Sequence, residues 1–428
     1  MYKYVIEGGR PIHGRVTASG NKNAALPCIA ATILTEEDVV LGNIPDIEDV
    51  HVMLSILVEL GCRVDREGPN TWRINASGLT GSEISAEMSG KIRASILLAG
   101  PLLARTGTVT LPPPGGDVIG RRRLDTHFLA LEGLGATVEV NHSFHLASNR
   151  LVGTELFLDE ASVTATENAI MAAVFARGDT TIENAASEPH VQDVCRMLNS
   201  MGARITGIGS NILSIRGVEK LHGTAFDIGA DFMEVGSFIG LAAATRGEVT
   251  IEGANPGQLK MTRIAFNKLG IDWETDGDTI HVGADQRLAV QPDMGGMIPK
   301  IDDSPWPGFP PDLTSIVTVL ATQVEGTILI HEKMFESRMF FVDKLIGMGA
   351  RIVLCDPHRA VVSGPATLTG SQLTSPDVRA GMAMVIAALC ARGRSVIGNV
   401  YQIERGYEDL TRRLSSLGAR IERLTRSE

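Results

Sequence analysis

The chain repeats one pattern of hydrophobic and polar positions six times. In each repeat an apolar segment leads through a glycine into a β-branched run, and after a polar loop an amphipathic segment closes on Leu-Gly or Met-Gly, followed by a short strand-like run. The period of roughly 70 residues exceeds the ~20–50 residues of solenoid units, so each repeat is predicted to be a small α/β module with its own apolar face. The six closures are Leu60-Gly61, Leu134-Gly135, Met201-Gly202, Leu269-Gly270, Met348-Gly349 and Leu417-Gly418.

The two helical segments of a repeat differ in their apolar faces. The segment 165–176 is apolar almost all round, as expected of a buried helix, and we predict that it ends at Gly178 in a left-handed C-cap. The segment 410–417 is amphipathic, and Arg413 is predicted to lie outside its leucine face. One helix is therefore expected to be buried and the other more exposed. Whether the sheets enclose the helices or only back them stays open.

Six repeats suggest two domains of three repeats each, with a cleft between them. We place the break after the third repeat, within 217–231. The leading segment cannot complete a repeat alone and is expected to pair with the second cluster. The predicted domains are 21–229, and 1–20 together with 230–428.

Composition and charge limit the classes of partner. A formal net charge of −11 argues against nucleic acid or an anionic membrane as the main partner. The N-terminus does not have the pattern of a signal peptide, and no apolar run reaches the ~18–20 residues of a membrane span. The cysteines are scattered without metal-ligand spacing, so a metal centre and a disulfide framework are both disfavoured, and free thiols fit a cytoplasmic protein. They are Cys28, Cys62, Cys195, Cys355 and Cys390.

The first interruption of the repeat is a Ser/Gly/Asn loop at 17–25, which delivers Lys22 to the start of a buried helix. An ammonium group beside helical N–H groups suits an anion. The alternative is an Asn cap followed by a solvated lysine.

The second interruption is the Pro/Gly loop 111–123, which carries Asp117 at its tip and three arginines behind it. Arginine clusters bind phosphate, and a carboxyl group on a closing loop can serve as a general acid. The alternative is a surface loop with a solvated run of charge.

The third interruption, 302–312, is a Pro-rich approach that places Asp312 at the head of the fifth repeat's helix, where it could be an N-cap. Asp377 occupies the matching place in the sixth repeat. Taken singly, the arginines of the polar loops read as surface ion-pair partners. Taken together, the cations form a basic set on an acidic protein, suited to a small polyanion: Lys22, Arg93, Arg122, Arg338, Arg379 and Arg405.

These interruptions resemble the motifs of the enolpyruvyl transferases, in the same order and over essentially the whole chain. The motifs are Ser19-Gly20-Asn21-Lys22-Asn23, Arg93-Ala94-Ser95, Gly115-Gly116-Asp117-Val118-Ile119-Gly120, Pro307-Gly308-Phe309-Pro310-Pro311-Asp312, Asp377-Val378-Arg379-Ala380 and Arg405-Gly406-Tyr407-Glu408. The resemblance implies a two-domain inside-out α/β barrel of six βαβαββ-type units, with the active site between the domains.

The resemblance also implies a reaction: transfer of the enolpyruvyl group of phosphoenolpyruvate to the 3-hydroxyl of UDP-N-acetylglucosamine, the first committed step of peptidoglycan precursor synthesis, without a cofactor. Asp117 would protonate the methylene carbon and Asp312 would take the hydroxyl proton. Lys22, Arg122 and Arg405 would hold the phosphate, and Arg338 and Arg379 the carboxylate. The remaining residues expected at the substrates are Asn23, Arg93, Arg123, Leu124, Asp125, Thr126, Ser162, Val163, Met334 and Asp377.

Four residues depart from the family's usual pattern. Asp117 replaces the usual loop cysteine, which predicts insensitivity to the epoxide fosfomycin. Thr164, Pro311 and Arg123 stand where Gly, Thr and Pro are common, so another nucleotide acceptor such as UMP stays open. The shikimate branch fits poorly, because its basic acceptor motifs are not evident. A sugar-nucleotide-binding regulator without catalysis is the non-enzymatic alternative.

Overall fold

A computed structural model describes residues 2–116, 119–120 and 122–425. The chain divides into two compact units. Unit one comprises residues 1–19, 117–121 and 230–428, and unit two comprises 20–116 and 122–229. The described residues form six sheets, three in each unit.

The strands in the described part of the chain are short, and most expose one of their two faces. They are β1 (Tyr2–Glu7), β2 (His13–Thr17), β3 (Val39–Gly42), β4 (Arg63–Gly68), β5 (Thr71–Asn75), β6 (Thr108–Leu111), β7 (Thr137–Val140), β8 (Phe144–Ala147), β9 (Glu155–Phe157), β10 (Asp179–Glu183), β11 (Arg204–Thr206), β12 (Ile212–Arg216), β13 (Thr224–Asp227), β14 (Glu248–Glu252), β15 (Glu274–Asp276), β16 (Thr279–Val282), β17 (Lys300–Asp302), β18 (Gly326–His331), β19 (Arg351–Asp356), β20 (Arg359–Gly364), β21 (Gln372–Thr374), β22 (Arg394–Gly398) and β23 (Arg420–Thr425).

The helices over the same residues are α1 (Lys22–Ala31), α2 (Glu48–Glu59), α3 (Ala86–Ser89), α4 (Ala99–Thr106), α5 (Asp125–Gly133), α6 (Val163–Ala173), α7 (Pro189–Ser200), α8 (Phe232–Ala244), α9 (Lys260–Asn267), α10 (Thr314–Gln323), α11 (Val342–Gly347), α12 (Val378–Cys390), α13 (Tyr401–Glu404) and α14 (Leu410–Ser416). Short 3-10 segments precede several of them, at Arg93–Leu98, Pro311–Leu313 and Arg338–Phe341 among others. Within the described residues, no helix is long and apolar enough to cross a bilayer.

The sheets of unit two have the strand orders β13-β3-β5-β4, β6-β8-β7 and β11-β12-β10-β9. Those of unit one have the orders β15-β16-β14-β2, β17-β18-β20-β19 and β21-β22-β1-β23. Both strands of the leading segment belong to unit one: β1 pairs antiparallel with β22 and with β23, and β2 pairs parallel with β14. Unit one is therefore built from both ends of the chain.

Each unit encloses its own hydrophobic core, and helices fill its centre. In unit one, α8 is buried along its whole length, and α10 and α12 are buried almost throughout. In unit two, α1 and α6 are mainly buried. Several strands, such as β10, β12 and β20, have a buried residue at every second position, so the sheets lie outside the helices. This arrangement resolves the alternative that the sequence leaves open.

All six Leu-Gly and Met-Gly closures form the same turn. The glycine after each closing residue has a positive φ, between 72° and 105°. The next residue donates its N–H to a carbonyl five positions back, as from Cys62 to Leu57 at 2.9 Å and from Ala419 to Leu414 at 3.0 Å. These are the features of a Schellman C-cap, which only a residue without a Cβ adopts without strain.

Two predictions about helices are wrong in detail. The helix α6 ends at Ala173, so Gly178, although left-handed, lies in the turn beyond it. Arg413 on α14 is buried rather than excluded from the apolar side, because its guanidinium pairs with the buried carboxylate of Glu234. A charged residue can occupy a buried helix face when a partner charge lies opposite, and the periodicity of one helix does not reveal such a partner.

Candidate active site

A carboxylate held between two buried guanidinium groups lies in unit one. Nη2 of Arg338 donates to Oδ1 of Asp312 at 3.0 Å, and Nε of Arg379 donates to Oδ2 at 3.1 Å. Arg338 is 4% exposed and Arg379 is 5% exposed. Among the described residues, Nη1 of each arginine has no hydrogen-bond partner. A buried N–H without an acceptor is costly, so these two donors are suited to an anionic ligand beside Asp312.

Helix starts in successive repeats position these three side chains. Asp312 lies in the 3-10 turn that leads into α10, and neither segment has a side-chain cap there. Arg379 lies in the first turn of α12, where Asp377 is the N-cap and accepts from the N–H groups of Arg379 (2.8 Å) and Ala380 (2.9 Å). Arg338 begins its 3-10 segment. The alternative that Arg338 and Arg405, taken singly, are surface ion-pair partners is wrong, because both side chains are buried.

Arg379 has three further neighbours in unit one. Its Nη2 lies 3.7 Å from Oδ2 of Asp231 and 3.6 Å from Sδ of Met233, and its Cζ lies 5.3 Å from the ring centre of Tyr407. Burial raises the pKa of Asp231, and the positive charge of Arg379 opposes that rise. The guanidinium is thus fixed on several sides, which leaves its orientation little freedom.

Two other residues predicted to contact substrates also lie in unit one. Arg405, at the end of α13, is buried and donates from Nη1 to Oε1 of Gln402 at 2.8 Å. Met334 lies on the loop before Arg338, with its side chain 37% exposed. Asp117, the predicted general acid, lies outside the described residues.

Lys22 in unit two is not the solvated lysine of the alternative interpretation. Asn21 does cap α1, accepting from the N–H of Asn23 at 2.8 Å. Nζ of Lys22, however, lies 2.6 Å from Oδ2 of Asp49, and both side chains are largely buried. The ammonium group therefore stands at the start of α1 with its position set by a carboxylate on α2.

Arg93 supports the chain segment that carries Arg122 and Arg123. Its Nη2 donates to the carbonyl of Arg122 at 2.8 Å and to that of Arg123 at 3.2 Å. Burial, together with the positive charge of Arg122, lowers the pKa of Arg93 to about 10. The contacts of Arg93 in this state are with backbone oxygens, and its predicted role at a substrate is untested.

The residues after Arg122 are tied together by carboxylates. Arg123 forms ion pairs with Asp125 at 3.1 Å and with Asp159 at 3.3 Å. The hydroxyl of Thr126, which is buried, donates to Oδ1 of Asp159 at 2.7 Å. Leu124 packs against the core of unit two. Arg123 thus has two acidic neighbours in the same unit, both close enough to reduce its charge available for a ligand.

The start of α6 carries Ser162 and Val163 together with the departure Thr164. Ser162 is the N-cap and accepts from the N–H of Ala165 at 3.4 Å. The hydroxyl of Thr164 lies 3.1 Å from Nε2 of His127, whose Nδ1 lies 2.8 Å from Nδ2 of Asn168. Burial lowers the pKa of His127 to about 3, so this imidazole is neutral. A threonine at 164 is therefore accommodated by a hydrogen bond to a buried histidine.

Sequence reasoning missed the partners that hold the predicted cations, namely Asp49, Asp231 and Tyr407. One signal for Asp49 was available: Asp49, Met53 and Ile56 lie at helical spacing on one buried face of α2. A carboxylate on an apolar face needs a partner charge, which points to a nearby cation. No comparable signal marks Tyr407, because its contact with Arg379 joins residues that only the fold brings together.

Metal ligation has no candidate among residues 2–116, 119–120 and 122–425: no group of three or more His, Cys, Asp or Glu side chains is placed to hold an ion. The five cysteines are free.

Comparison with known proteins identifies the fold and the family. The model of the EPSP synthase (3-phosphoshikimate 1-carboxyvinyltransferase) family matches residues 6–414. The UDP-N-acetylglucosamine 1-carboxyvinyltransferases of Treponema denticola and Borreliella burgdorferi are 65% and 60% identical, each aligned over 99% of both chains. That of Bradyrhizobium diazoefficiens is 54% identical over 99% of this chain and 98% of its own.

Solved structures show the same fold at lower identity. The enolpyruvyl transferase NikO from Streptomyces tendae has a TM-score of 0.88 at 24% identity, over 100% of this chain and 99% of its own. An EPSP synthase from Acinetobacter baumannii has a TM-score of 0.76 at 18% identity, over 99% and 100%. The fold class expected from the sequence, a two-domain inside-out α/β barrel of six repeated units, is confirmed. The chain belongs to the EPSP synthase family, the enolpyruvyl transferases.

Proposed function

We propose that the protein transfers the enolpyruvyl group of phosphoenolpyruvate to the 3-hydroxyl of UDP-N-acetylglucosamine and releases phosphate. Relatives that carry this activity in their names match the whole chain at 54–65% identity. Such a reaction supplies the first precursor of peptidoglycan, and its two substrates are cytoplasmic metabolites, so we place the protein in the cytoplasm.

The observation that carries the proposal is the arrangement around Asp312. Arg338 and Arg379 each use one nitrogen to hold this carboxylate and keep Nη1 for another acceptor. A substrate carboxylate bound by both Nη1 groups would lie beside Asp312. In that position Asp312 serves as the base that takes the proton of the sugar 3-hydroxyl. The oxygen of that hydroxyl group then bonds to C2 of phosphoenolpyruvate.

The proton for C3 and the charge on the phosphate need further groups. Asp117 is assigned as the acid that protonates C3. Lys22, Arg122 and Arg405 are assigned to the phosphate, because cations stabilise the charge that develops as it leaves. The tetrahedral intermediate then loses a proton from C3 and the phosphate from C2, which leaves the enol ether.

The sugar nucleotide is assigned to the start of α6, to the segment after Arg122 and to two residues of the other unit. Contacts are proposed for Asn23, Arg93, Arg123, Leu124, Asp125, Thr126, Ser162, Val163, Met334 and Asp377. The hydrogen bond between Thr164 and His127 supports this assignment. It holds Thr164, which is larger than the glycine common in the family, in place at the first turn of α6.

An acceptor panel tests the proposal. Phosphate release is measured with phosphoenolpyruvate and, separately, UDP-N-acetylglucosamine, UMP and shikimate 3-phosphate. We expect release with the UDP-sugar. Release with UMP alone would make the protein an enolpyruvyl transferase of another pathway, and no release with any acceptor would favour a binding role.

A second test addresses Asp117. Asp117→Asn should abolish turnover while phosphoenolpyruvate still binds, because the amide has no proton to give to C3. Fosfomycin should leave the native protein active, whereas Asp117→Cys should become sensitive to it. A stable covalent adduct of fosfomycin on Asp117 would refute the predicted insensitivity. Retained turnover in Asp117→Asn would contradict the assignment of Asp117 as the acid.

A further inference from the structure

Two carboxyl groups that the proposed reaction does not use lie side by side behind Arg338. Asp303 directly follows β17 and Glu332 directly follows β18, and these strands are parallel neighbours in which Asp302 pairs with His331. The next position of the same register therefore places Asp303 beside Glu332. Both residues are fully buried in unit one. Two ionised carboxylates in one buried site repel each other strongly.

Only two of the four carboxyl oxygens of Asp303 and Glu332 accept a hydrogen bond from the described residues. Oδ1 of Asp303 accepts from the N–H of Lys333 at 2.5 Å. Oε1 of Glu332 accepts from the N–H groups of Met334 at 3.3 Å and Phe335 at 3.1 Å. Among the described residues, no N–H group donates to Oδ2 of Asp303 or to Oε2 of Glu332. The strand register and the full burial of both residues enclose these two oxygens in one site. A proton between two carboxyl groups would supply the donor that both oxygens lack.

The groups that face the pair come from four directions. Nε of Arg338 lies 3.8 Å from Oε2 of Glu332, and Thr314 faces the pair from the start of α10. On the strand side, His331 precedes Glu332, and Nδ1 of His358 lies 2.8 Å from the carbonyl of Glu332. Nζ of Lys333 points away and binds Asp302 at 2.8 Å.

Arg338 in turn faces Asp312, Asp377 and Arg379. Burial is the main factor in the titration of Glu332. It raises the pKa, the positive charge of Arg338 lowers it, and the hydrogen bond with Asp303 raises it, to about 8 overall.

We propose that Asp303 and Glu332 share one proton, and that its loss at alkaline pH weakens the hold of Arg338 on the substrate carboxylate. The second half of this inference rests on the proposed function. Both residues are positioning residues, since they act through Arg338 and touch neither substrate.

The link to Arg338 is electrostatic and also mechanical. When the pair carries one proton, it presents one negative charge behind the guanidinium, and Nη1 keeps its affinity for an anion. Loss of the proton adds a second charge beside Nε, which competes with the substrate for the guanidinium. The two carboxylates then also repel each other. Glu332 accepts hydrogen bonds from the N–H groups of Met334 and Phe335, so this repulsion acts on the turn that leads into Arg338.

Isosteric amides fix the hydrogen bond permanently. In Asp303→Asn, the amide can donate to Oε2 of Glu332 while its oxygen still accepts from Lys333. Glu332→Gln achieves the same from the other side. Each variant has one titratable carboxyl group and can carry at most one negative charge, as the protonated pair does. Asp302→Asn is the matched control. Burial raises the pKa of Asp302, but hydrogen bonds from Lys333 and Lys300 outweigh burial and lower it. Asp302 therefore does not share in a titration at alkaline pH.

The kinetic test measures kcat and KM for phosphoenolpyruvate from about pH 6.5 to about pH 9.5. In the native protein and in Asp302→Asn, KM should rise on the order of tenfold above about pH 8, with a smaller change in kcat. In Asp303→Asn and Glu332→Gln, KM should stay nearly flat. An equal rise in all four proteins, or no rise in the native protein, would overturn the coupling to Arg338.

Thermal unfolding tests the shared proton without any substrate. A group whose folded pKa is raised stabilises the fold below its unfolded pKa, and that stabilisation is lost as pH rises through the folded pKa. Between about pH 7 and about pH 9.5 the native protein should therefore lose about 2–4 °C more in Tm than Asp303→Asn does. Parallel Tm curves would overturn the shared proton. A chain that shows this difference but no turnover with any acceptor would refute the proposed function alone.

Discussion

At Arg379 one planar guanidinium faces Asp312, Asp231 and the ring of Tyr407 at once. Lysine has the positive charge but lacks the planar set of N–H donors of a guanidinium group. Arg379→Lys should therefore leave at least one of these partners without a donor. We expect kcat/KM for phosphoenolpyruvate to fall by about tenfold to a hundredfold, as for the loss of one charged hydrogen bond of ~1.5–3 kcal/mol. Arg359→Lys, at an exposed pair with Asp356, is the matched control and should change nothing measurable. Equal kinetics for both variants would remove Arg379 from the site.

Glu167 on α6 is a buried acid with no role in the proposed reaction. Burial, and then the charge of Glu188, raise the pKa of Glu167 well above its usual value, which favours the protonated form in the folded state. An unfolded glutamate titrates near ~4.3, so the native protein should lose ~1.4 kcal/mol of unfolding free energy per pH unit above that value. Glu167→Gln should remove this slope in urea unfolding at about pH 5 and about pH 7. Glu160→Gln, at an exposed site, should keep it, and equal slopes in all three proteins would show that Glu167 is ionised.

The residues proposed to bind substrate could be named from the sequence, whereas the residues that hold them in place could not. Lys22 and Asp312 lie where the repeat is interrupted, so one amino-acid sequence is enough to single them out. Glu332 owes its role to Asp303, which is distant in sequence and adjacent only because β17 and β18 are parallel neighbours. Such a pairing belongs to the tertiary structure, and no local pattern of polar positions in the sequence indicates it.

Helix α14 is anchored to α8 by one buried ion pair. Arg413 donates to both oxygens of Glu234, at 2.5 and 3.0 Å, and also to the carbonyl of Thr17 at 2.7 Å. Arg413→Met should cost about 3–5 kcal/mol of unfolding free energy, because it leaves a buried carboxylate without its counter-charge. The neighbouring Arg412→Met, at an exposed position, should cost less than about 0.5 kcal/mol. Urea unfolding of the two variants checks the difference, and similar values would mean that Glu234 finds another partner or becomes protonated.

Element boundaries followed from the sequence where backbone chemistry dictates them. The six closures were predictable because glycine in the left-handed region is the cheapest way to end a helix, and all six form that turn. The end of α6 was not predictable from Gly178, because the chain leaves the helix at Ala173 and uses the glycine later. A glycine shows that a turn is near, and the residue at which the helix stops depends on packing.

The N-terminal strand is a structural part of the unit formed by the C-terminal half of the chain. Tyr4 on β1 is 1% exposed and donates to Oε1 of Glu404 at 3.0 Å, whereas Tyr2 on the same strand is 47% exposed. Tyr4→Ala should cost about 3–5 kcal/mol. Hydrogen exchange should then show faster opening in residues 230–425 than in 20–229. Tyr2→Ala should leave both regions as they are, and uniform destabilisation of the whole chain by Tyr4→Ala would contradict this assignment.

At the scale of the whole molecule, the repeat count was enough to predict six modules. It could not decide whether helices or sheets lie inside, because a buried helix and a half-exposed sheet have the same composition in either arrangement. The burial of α8 and the alternation along β12 decide it. In the candidate site, the acceptor residues remain a prediction, and so does Asp117, which lies outside the described residues.

The pairing of β1 with β23 brings the two ends of the chain side by side, with Tyr2 opposite Thr425. A short linker could therefore join β23 to β1, and new ends could be opened between residues 229 and 230. In such a circular permutant, residues 230–428 and 1–19, which form unit one apart from 117–121, would be synthesised in one run before residues 20–229. Strand β1 would then be synthesised soon after its partners β22 and β23, whereas in the present order it precedes them by most of the chain.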